Sequence, residues 1–333
     1  MKRLFNDPDD VVREALEGMA AVHPDLIRVA FDPTYVTRAD AGERRKVALV
    51  SGGGSGHEPM HVGLVGRGML DAACPGSVFT SPSSDQVEAA ARAANSGAGV
   101  LLLVKNYSGD VMNFEMAQEL FEADGVEVQS VLVADDVAVE DSTFTSGRRG
   151  VGATVLAEKI CGASAERGDS LADVAEIGET VCARSRSLGV ALTPCTVPHV
   201  GEPTFTLAEG EMEFGVGIHG EPGRERVQVE PADRVVDGIL DAVLPDLPFS
   251  SGDRVLAFVN GMGTATDAEL YIAARRALRV LGDKGIDVAR TLVGNYMTSL
   301  DMLGLSITLL SLDEALTELW DAPVHTPALR WGV

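Results

Sequence analysis

Three short segments of this 333-residue chain gather residues able to do chemistry. Ser51 to Pro59 (SGGGSGHEP) puts three consecutive glycines beside His57. Without a Cβ, such a backbone approaches a neighbour closely, and the imidazole at its lip adds a donor or an acceptor. Val104 to Asp110 (VKNYSGD) places Lys105 and Asp110 around a polar turn. A carboxylate there serves as an N-cap or as a general base. Gly215 to Gly223 (GVGIHGEPG) flanks His219 with glycines, which leaves the ring accessible, and Pro222 stiffens the turn. Each segment has a plain alternative, an exposed histidine in a tight turn or a helix cap.

Familiar phosphate motifs do not fit. The dinucleotide fingerprint GxGxxG needs glycine where His57 stands if it begins at Gly52, and it fails from Gly54 as well. No GK followed by Ser or Thr exists, so there is no P-loop. His57 and His61 are four apart but lack the partner set of a zinc motif, and no protein-bound metal is expected.

The elements that must position these residues alternate. Lys46 to Val50 reads as a strand that stops in the glycine loop, and Asp85 to Asn95 as a helix. Gly99 to Lys105 is apolar throughout, as a central parallel strand should be, followed by a helix over Asp110 to Ala123 and a strand over Val126 to Val133. The polar stretch from Asp135 to Thr154 reads as a functional loop. Helices are expected at Val155 to Cys161 and at Leu171 to Ser187. Composition changes near Val190, with strands at Arg254 to Asn260 and Ser306 to Ser311 around a helix at Asp267 to Leu281. The expected fold class is α/β: an N-terminal parallel-sheet α/β domain over residues 1–188 with the glycine loop and Asp110, and a second, smaller α/β domain over residues 189–333 with His219.

Composition narrows the function. A formal charge of −23 opposes nucleic acid and anionic membranes as partners, because that field repels phosphate backbones. No apolar run reaches the roughly 20 residues of a membrane span, and the N-terminus lacks the apolar core of a signal peptide. A cytoplasmic location is expected, with the four scattered cysteines reduced.

Six segments in order, SGGGSGHEP (51–59), CPGSVFTSP (74–82), VKNYSGDVMNFEMA (104–117), RRGVGATVLAEKI (148–160), GVGIHGEPG (215–223) and GNYMTSLDMLGLSITLL (294–310), resemble the substrate-binding domain of the dihydroxyacetone kinase family. The resemblance spans nearly the whole chain. It implies that His219 captures dihydroxyacetone as a hemiaminal, that Asp110 takes the proton of the hydroxyl to be phosphorylated, and that His57 assists. It also implies that Gly54, Ser55, Gly56 and Lys105 contact the substrate. On this reading the chain binds no cofactor. Mg-ATP or ADP sits on a separate nucleotide-binding subunit, resupplied by a phosphotransferase-system phosphocarrier or by ATP exchange, and the chain forms a homodimer. A dihydroxyacetone sensor, or a kinase subunit for a related short ketose or aldehyde, is the alternative. One departure is Gly261 to Asp267 (GMGTATD), where the family usually continues from its VNG turn with Gly, Thr and Pro.

Overall fold

The computed structural model describes residues 3–140 and 145–333. Residues 141–144 of the loop expected from Asp135 lie outside the described residues. The first half runs α1 (Val11–Val22), β1 (Ile27–Phe31), β2 (Thr34–Arg38), β3 (Ala48–Ser55), β4 (Ala72–Val78), α2 (Ser84–Ala94), β5 (Val100–Lys105), α3 (Ser108–Ala123) and β6 (Val128–Val133). Its sheet has the order β1-β2-β4-β3-β5-β6. The four strands from β4 to β6 are parallel, whereas β1 and β2 form an antiparallel hairpin added along β4. The expected parallel sheet is therefore a mixed one. β5 is buried along its whole length, which matches its unbroken apolar sequence. α2 begins in a capping box in which Ser83 and Gln86 satisfy each other's backbone N–H groups.

The second half runs α4 (Ala153–Arg167), α5 (Leu171–Ala183), β7 (Ser185–Ala191), β8 (Glu211–Phe214), β9 (Glu225–Gln228), α6 (Ala232–Asp246), β10 (Arg254–Gly261), α7 (Asp267–Asp283), β11 (Asp287–Gly294), β12 (Gly304–Leu312), α8 (Glu314–Asp321) and a small hairpin, β13 (Val324–His325) with β14 (Arg330–Trp331). The second sheet, β11-β10-β12-β7-β8-β9, is antiparallel except for the β10 and β11 pair.

One expected helix is corrected. Leu171 to Ser187 does not stay helical, because Ser185 to Ala191 leaves α5 and pairs with β12, setting Leu188 opposite Ile307. Serine and glycine propagate a helix poorly, and a fully paired strand satisfies the same backbone groups. Residue 188 thus lies inside a strand of the second sheet.

α4 joins the two halves. Every residue from Ala153 to Ala165 is buried, and the helix contacts β3 and β5 of one sheet and β7 of the other. A helix apolar on all sides belongs in an interior. One hydrophobic cluster accordingly runs from Leu49, Leu101 and Leu103 through Leu156 and Ile160 to Leu256, Phe258 and Leu310. The N-terminus of α4 is held by Asp135, whose carboxylate accepts the N–H groups of Val151 and Ala153, each at 2.8 Å. Glu158 and Lys159 are buried ionisable side chains within this helix.

Candidate active site

The glycines of 52–54 are not a loop but the end of β3, and each gives room to a protein neighbour. A Cβ on Gly52 would stand 2.6 Å from the Cys74 carbonyl oxygen, on Gly53 2.1 Å from Lys105 Nζ, and on Gly54 2.6 Å from the Thr80 nitrogen. Their absent side chains let the β4 turn and Lys105 close on the strand. Ser55 donates to the Gly76 carbonyl at 2.7 Å, and Gly56 has φ +105 with its N–H on the Glu58 carboxylate. The strand end also holds two left-handed residues: Phe79 (φ 55) donates its N–H to the Ser55 carbonyl, and Leu300 (φ 54) to that of Gly56.

His57 follows directly and is fully buried. Its Nδ1–H donates to the Thr298 carbonyl at 2.7 Å, so Nε2 is the bare nitrogen, and no partner meets it. Burial above all, then the proximity of His219 and Lys105, holds His57 well below the usual histidine pKa and keeps it neutral. The ring stacks on Phe79 at 5.1 Å and meets the edge of His219 at 4.7 Å.

His219 arrives from the turn after β8. Its ring is edge-on to Tyr107 (4.6 Å) and to Phe79 (5.2 Å) as well as to His57, and 17% of its side chain remains exposed. Glu221 grips it twice, accepting from Nδ1 and from the His219 backbone N–H, both at 2.9 Å. Burial alone would raise the Glu221 carboxyl; the charge and hydrogen bond of His219 and the charge of Arg149 outweigh it and lower the pKa to about 2. An ionised Glu221 accepts only, so in its neutral form His219 carries its hydrogen on Nδ1 and presents Nε2 with a free lone pair. Arg149, also buried, pairs with Asp136 at 2.7 Å and donates to the Gly215 carbonyl at 2.7 Å, anchoring the turn. Gly217 makes that possible, since a Cβ there would fall 2.0 Å from Glu221 Oε2.

Asp110 lies in the first turn of α3 but caps nothing; the N-cap position is Tyr107. Its Oδ2 is 3.2 Å from Lys105 Nζ, and its Oδ1 is buried without a partner among the described residues. Lys105, buried completely, also reaches the Gly52 carbonyl at 2.8 Å and His61 Nε2 at 3.0 Å. The Tyr107 hydroxyl is likewise buried and unpartnered. The rings of His57, His219 and Tyr107 thus pack together, and Asp110 with its open carboxylate oxygen stands three residues after Tyr107 in the first turn of α3. No group of three or more His, Cys, Asp or Glu suited to a metal occurs among the described residues.

His219, His57, Lys105 and Asp110 were singled out in the sequence. Phe79, Tyr107, Arg149, Glu221, Glu158 and the role of His61 were not. Glu221 was in plain view two residues after His219, whereas Arg149 and Glu158 carry no local signal.

Residues 17–328 match the Dak1 domain model. The chain belongs to the Dak1 domain family. Over 356 aligned residues it is 51% identical to the dihydroxyacetone-binding subunit DhaK of the PEP-dependent dihydroxyacetone kinase of Escherichia coli K12, covering all of both chains. Among solved structures, the Dak1 chain superposes on the dihydroxyacetone kinase operon co-activator Dha-DhaQ with TM-score 0.88 and 35% identity, covering 95% of this chain and 96% of that one. It also resembles the dihydroxyacetone kinase of C. freundii in complex with AMP-PNP and Mg2+, with TM-score 0.87 and 36% identity, covering 99% of this chain and 61% of that one.

Proposed function

We propose that this Dak1 chain is the substrate-binding subunit of a dihydroxyacetone kinase, and that it holds dihydroxyacetone as a hemiaminal on His219. The observation that carries this reading is the Glu221 grip on Nδ1, which leaves Nε2 of His219 as a nucleophile facing a partly open site. Nε2 adds to the ketone carbon, and the carbonyl π pair becomes an alkoxide that takes up a proton. Glu221 offsets the positive charge on the ring as it forms, and the proton lost from Nδ1 passes by way of Glu221 to that alkoxide, so the adduct is neutral and Glu221 ends ionised. A carbonyl undergoes this addition and an alcohol does not, so capture separates dihydroxyacetone from glycerol.

Capture also fixes the free hydroxyl. Asp110 Oδ1, buried and open, accepts that proton as the hydroxyl oxygen attacks the donor phosphorus. The bare Nε2 of His57 accepts a hydrogen bond from a substrate hydroxyl. Gly54, Ser55 and Gly56 shape the wall of the site and Lys105 holds Asp110. The donor, Mg-ATP or ADP, sits on a separate nucleotide-binding subunit, and the PEP-dependent naming of the 51% identical relative favours resupply by a phosphotransferase-system phosphocarrier. No helix of the described residues is long and apolar enough to cross a membrane. The subunit works in the cytoplasm as a homodimer. The same first step serves a sensor, a reading favoured by the likeness to the Dha-DhaQ co-activator.

Asp110→Asn separates the two. With the nucleotide-binding subunit and ATP supplied, the wild type should form dihydroxyacetone phosphate, and the variant should lose at least about 100-fold in turnover while still binding the ketone. Equal turnover in both would sink the assignment of Asp110, and no turnover in the wild type would favour the sensor.

A further inference from the structure

His61 has no part in the chemistry described so far, yet it sits in the most polar part of the core. Its ring lies between Lys105 Nζ, 3.0 Å from Nε2, and Glu158 Oε1, 2.5 Å from Nδ1. All three side chains are buried, Lys105 and Glu158 completely. The donors and acceptors fix the arrangement. An ammonium offers only hydrogens, so His61 Nε2 must accept; Nδ1 then carries the hydrogen and donates to Glu158. Two hydrogens of Lys105 are thereby assigned to Gly52 and His61, at 2.8 and 3.0 Å, and its charge forms an ion pair with Asp110 Oδ2 at 3.2 Å.

We propose that His61, held by Glu158, is a positioning residue for phosphoryl transfer: it fixes the Lys105 ammonium against Oδ2 of Asp110 so that Oδ1 faces the substrate hydroxyl. This rests on Asp110 acting as the base. Burial first, then Lys105 and His57, lowers the His61 pKa well below the ordinary value, which keeps Nε2 available as an acceptor. Burial pushes the Glu158 carboxyl well above the usual range, and a carboxyl protonated on the unpartnered Oε2 still offers Oε1 as an acceptor to Nδ1. α4, which carries Glu158, is the helix buried between the two sheets, so the anchor at the far end is rigid. Without His61 one ammonium hydrogen loses its acceptor, and Lys105 can turn from Asp110 toward any polar group in reach. The ketone, held by His219, would still bind.

Gly53 gives a second way to disturb the same contact. A Cβ there would meet Lys105 Nζ at 2.1 Å and His61 Nε2 at 3.4 Å, and none of its three nearest atoms belongs to His219. The test compares wild type, His61→Ala, His61→Gln and Gly53→Ala as full chains with the nucleotide-binding subunit, reading turnover and bound ketone separately. His61→Ala and Gly53→Ala should lose about tenfold or more in kcat, the effect of an unmet buried hydrogen bond, while ketone occupancy is retained. His61→Gln, whose amide oxygen can still accept from Lys105, should regain most of the loss. Wild-type turnover in His61→Ala, or a loss that tracks ketone occupancy and is not rescued by Gln, would overturn the proposal. The free protein supplies an independent check by nitrogen NMR: hydrogen on Nδ1 of His61 is expected, and hydrogen on Nε2 would contradict it. A wild type that turns over without forming the adduct would instead overturn covalent capture, leaving the kcat comparison to decide the role of His61.

Discussion

The reactivity of His219 depends on which ring nitrogen holds its hydrogen, and Glu221 decides that. Glu221→Gln would offer one acceptor where two are needed; with its NH2 group toward Nδ1, the hydrogen moves to Nε2 and the nucleophile is lost. Ketone capture should fall by about tenfold or more, read as the dissociation constant for dihydroxyacetone, with the fold retained. His57 gives a prediction in pH. Native His57 stays neutral while the unfolded chain protonates it below about pH 6.5, so the unfolded state binds more protons and stability falls as pH drops through that value. His57→Asn removes this contribution. Relative to the wild type it should lose about 1.4 kcal/mol less on going from about pH 7.5 to 5.5 in urea unfolding, and identical pH slopes would show a native His57 that protonates freely. At this scale the sequence displayed His57, His219 and Asp110 with their alternatives open. What settled Asp110 against a capping role is its ion pair with Lys105 and its buried free oxygen, neither of which spacing reveals.

Among the elements, β3 does the positioning. Its glycines admit Lys105 and the Phe79 turn, its last carbonyl, on Ser55, holds the left-handed Phe79, and that of the next residue, Gly56, holds the left-handed Leu300. Gly54→Ala would drive a methyl into the Phe79 and Thr80 backbone at 2.8 and 2.6 Å, and backbone cannot swing aside as a side chain does. We expect roughly 1–3 kcal/mol of destabilisation in thermal unfolding together with weakened ketone binding; an unshifted melting temperature would contradict the close packing. Elements with local signals were legible. The capped start of α2 and the apolar run of β5 lie within a residue or so of where the sequence put them. The end of α5 was not, because β7 is defined by pairing with β12, more than a hundred residues later; the hairpin of β1 and β2, by contrast, turns at Asp32–Pro33, a dipeptide that does favour a turn.

The whole molecule brings the two sheets onto one core, with α4 between them, so that a turn following β8 reaches the strand ends of the first sheet. The meeting of His219 with His57 is a tertiary fact; from the sequence it followed only from the family resemblance, since no periodicity links the two segments. The charge of −23 fits the proposed division of labour, in which a partner handles phosphates and this chain captures a carbonyl compound. Covalent capture is the claim on which this account rests. Carbon NMR of the full chain with dihydroxyacetone labelled at its carbonyl carbon tests it: the bound signal should leave the ketone region for the tetrahedral region in the wild type and be absent in His219→Ala. A bound ketone that keeps its carbonyl signal, or a tetrahedral signal that survives in His219→Ala, would contradict it.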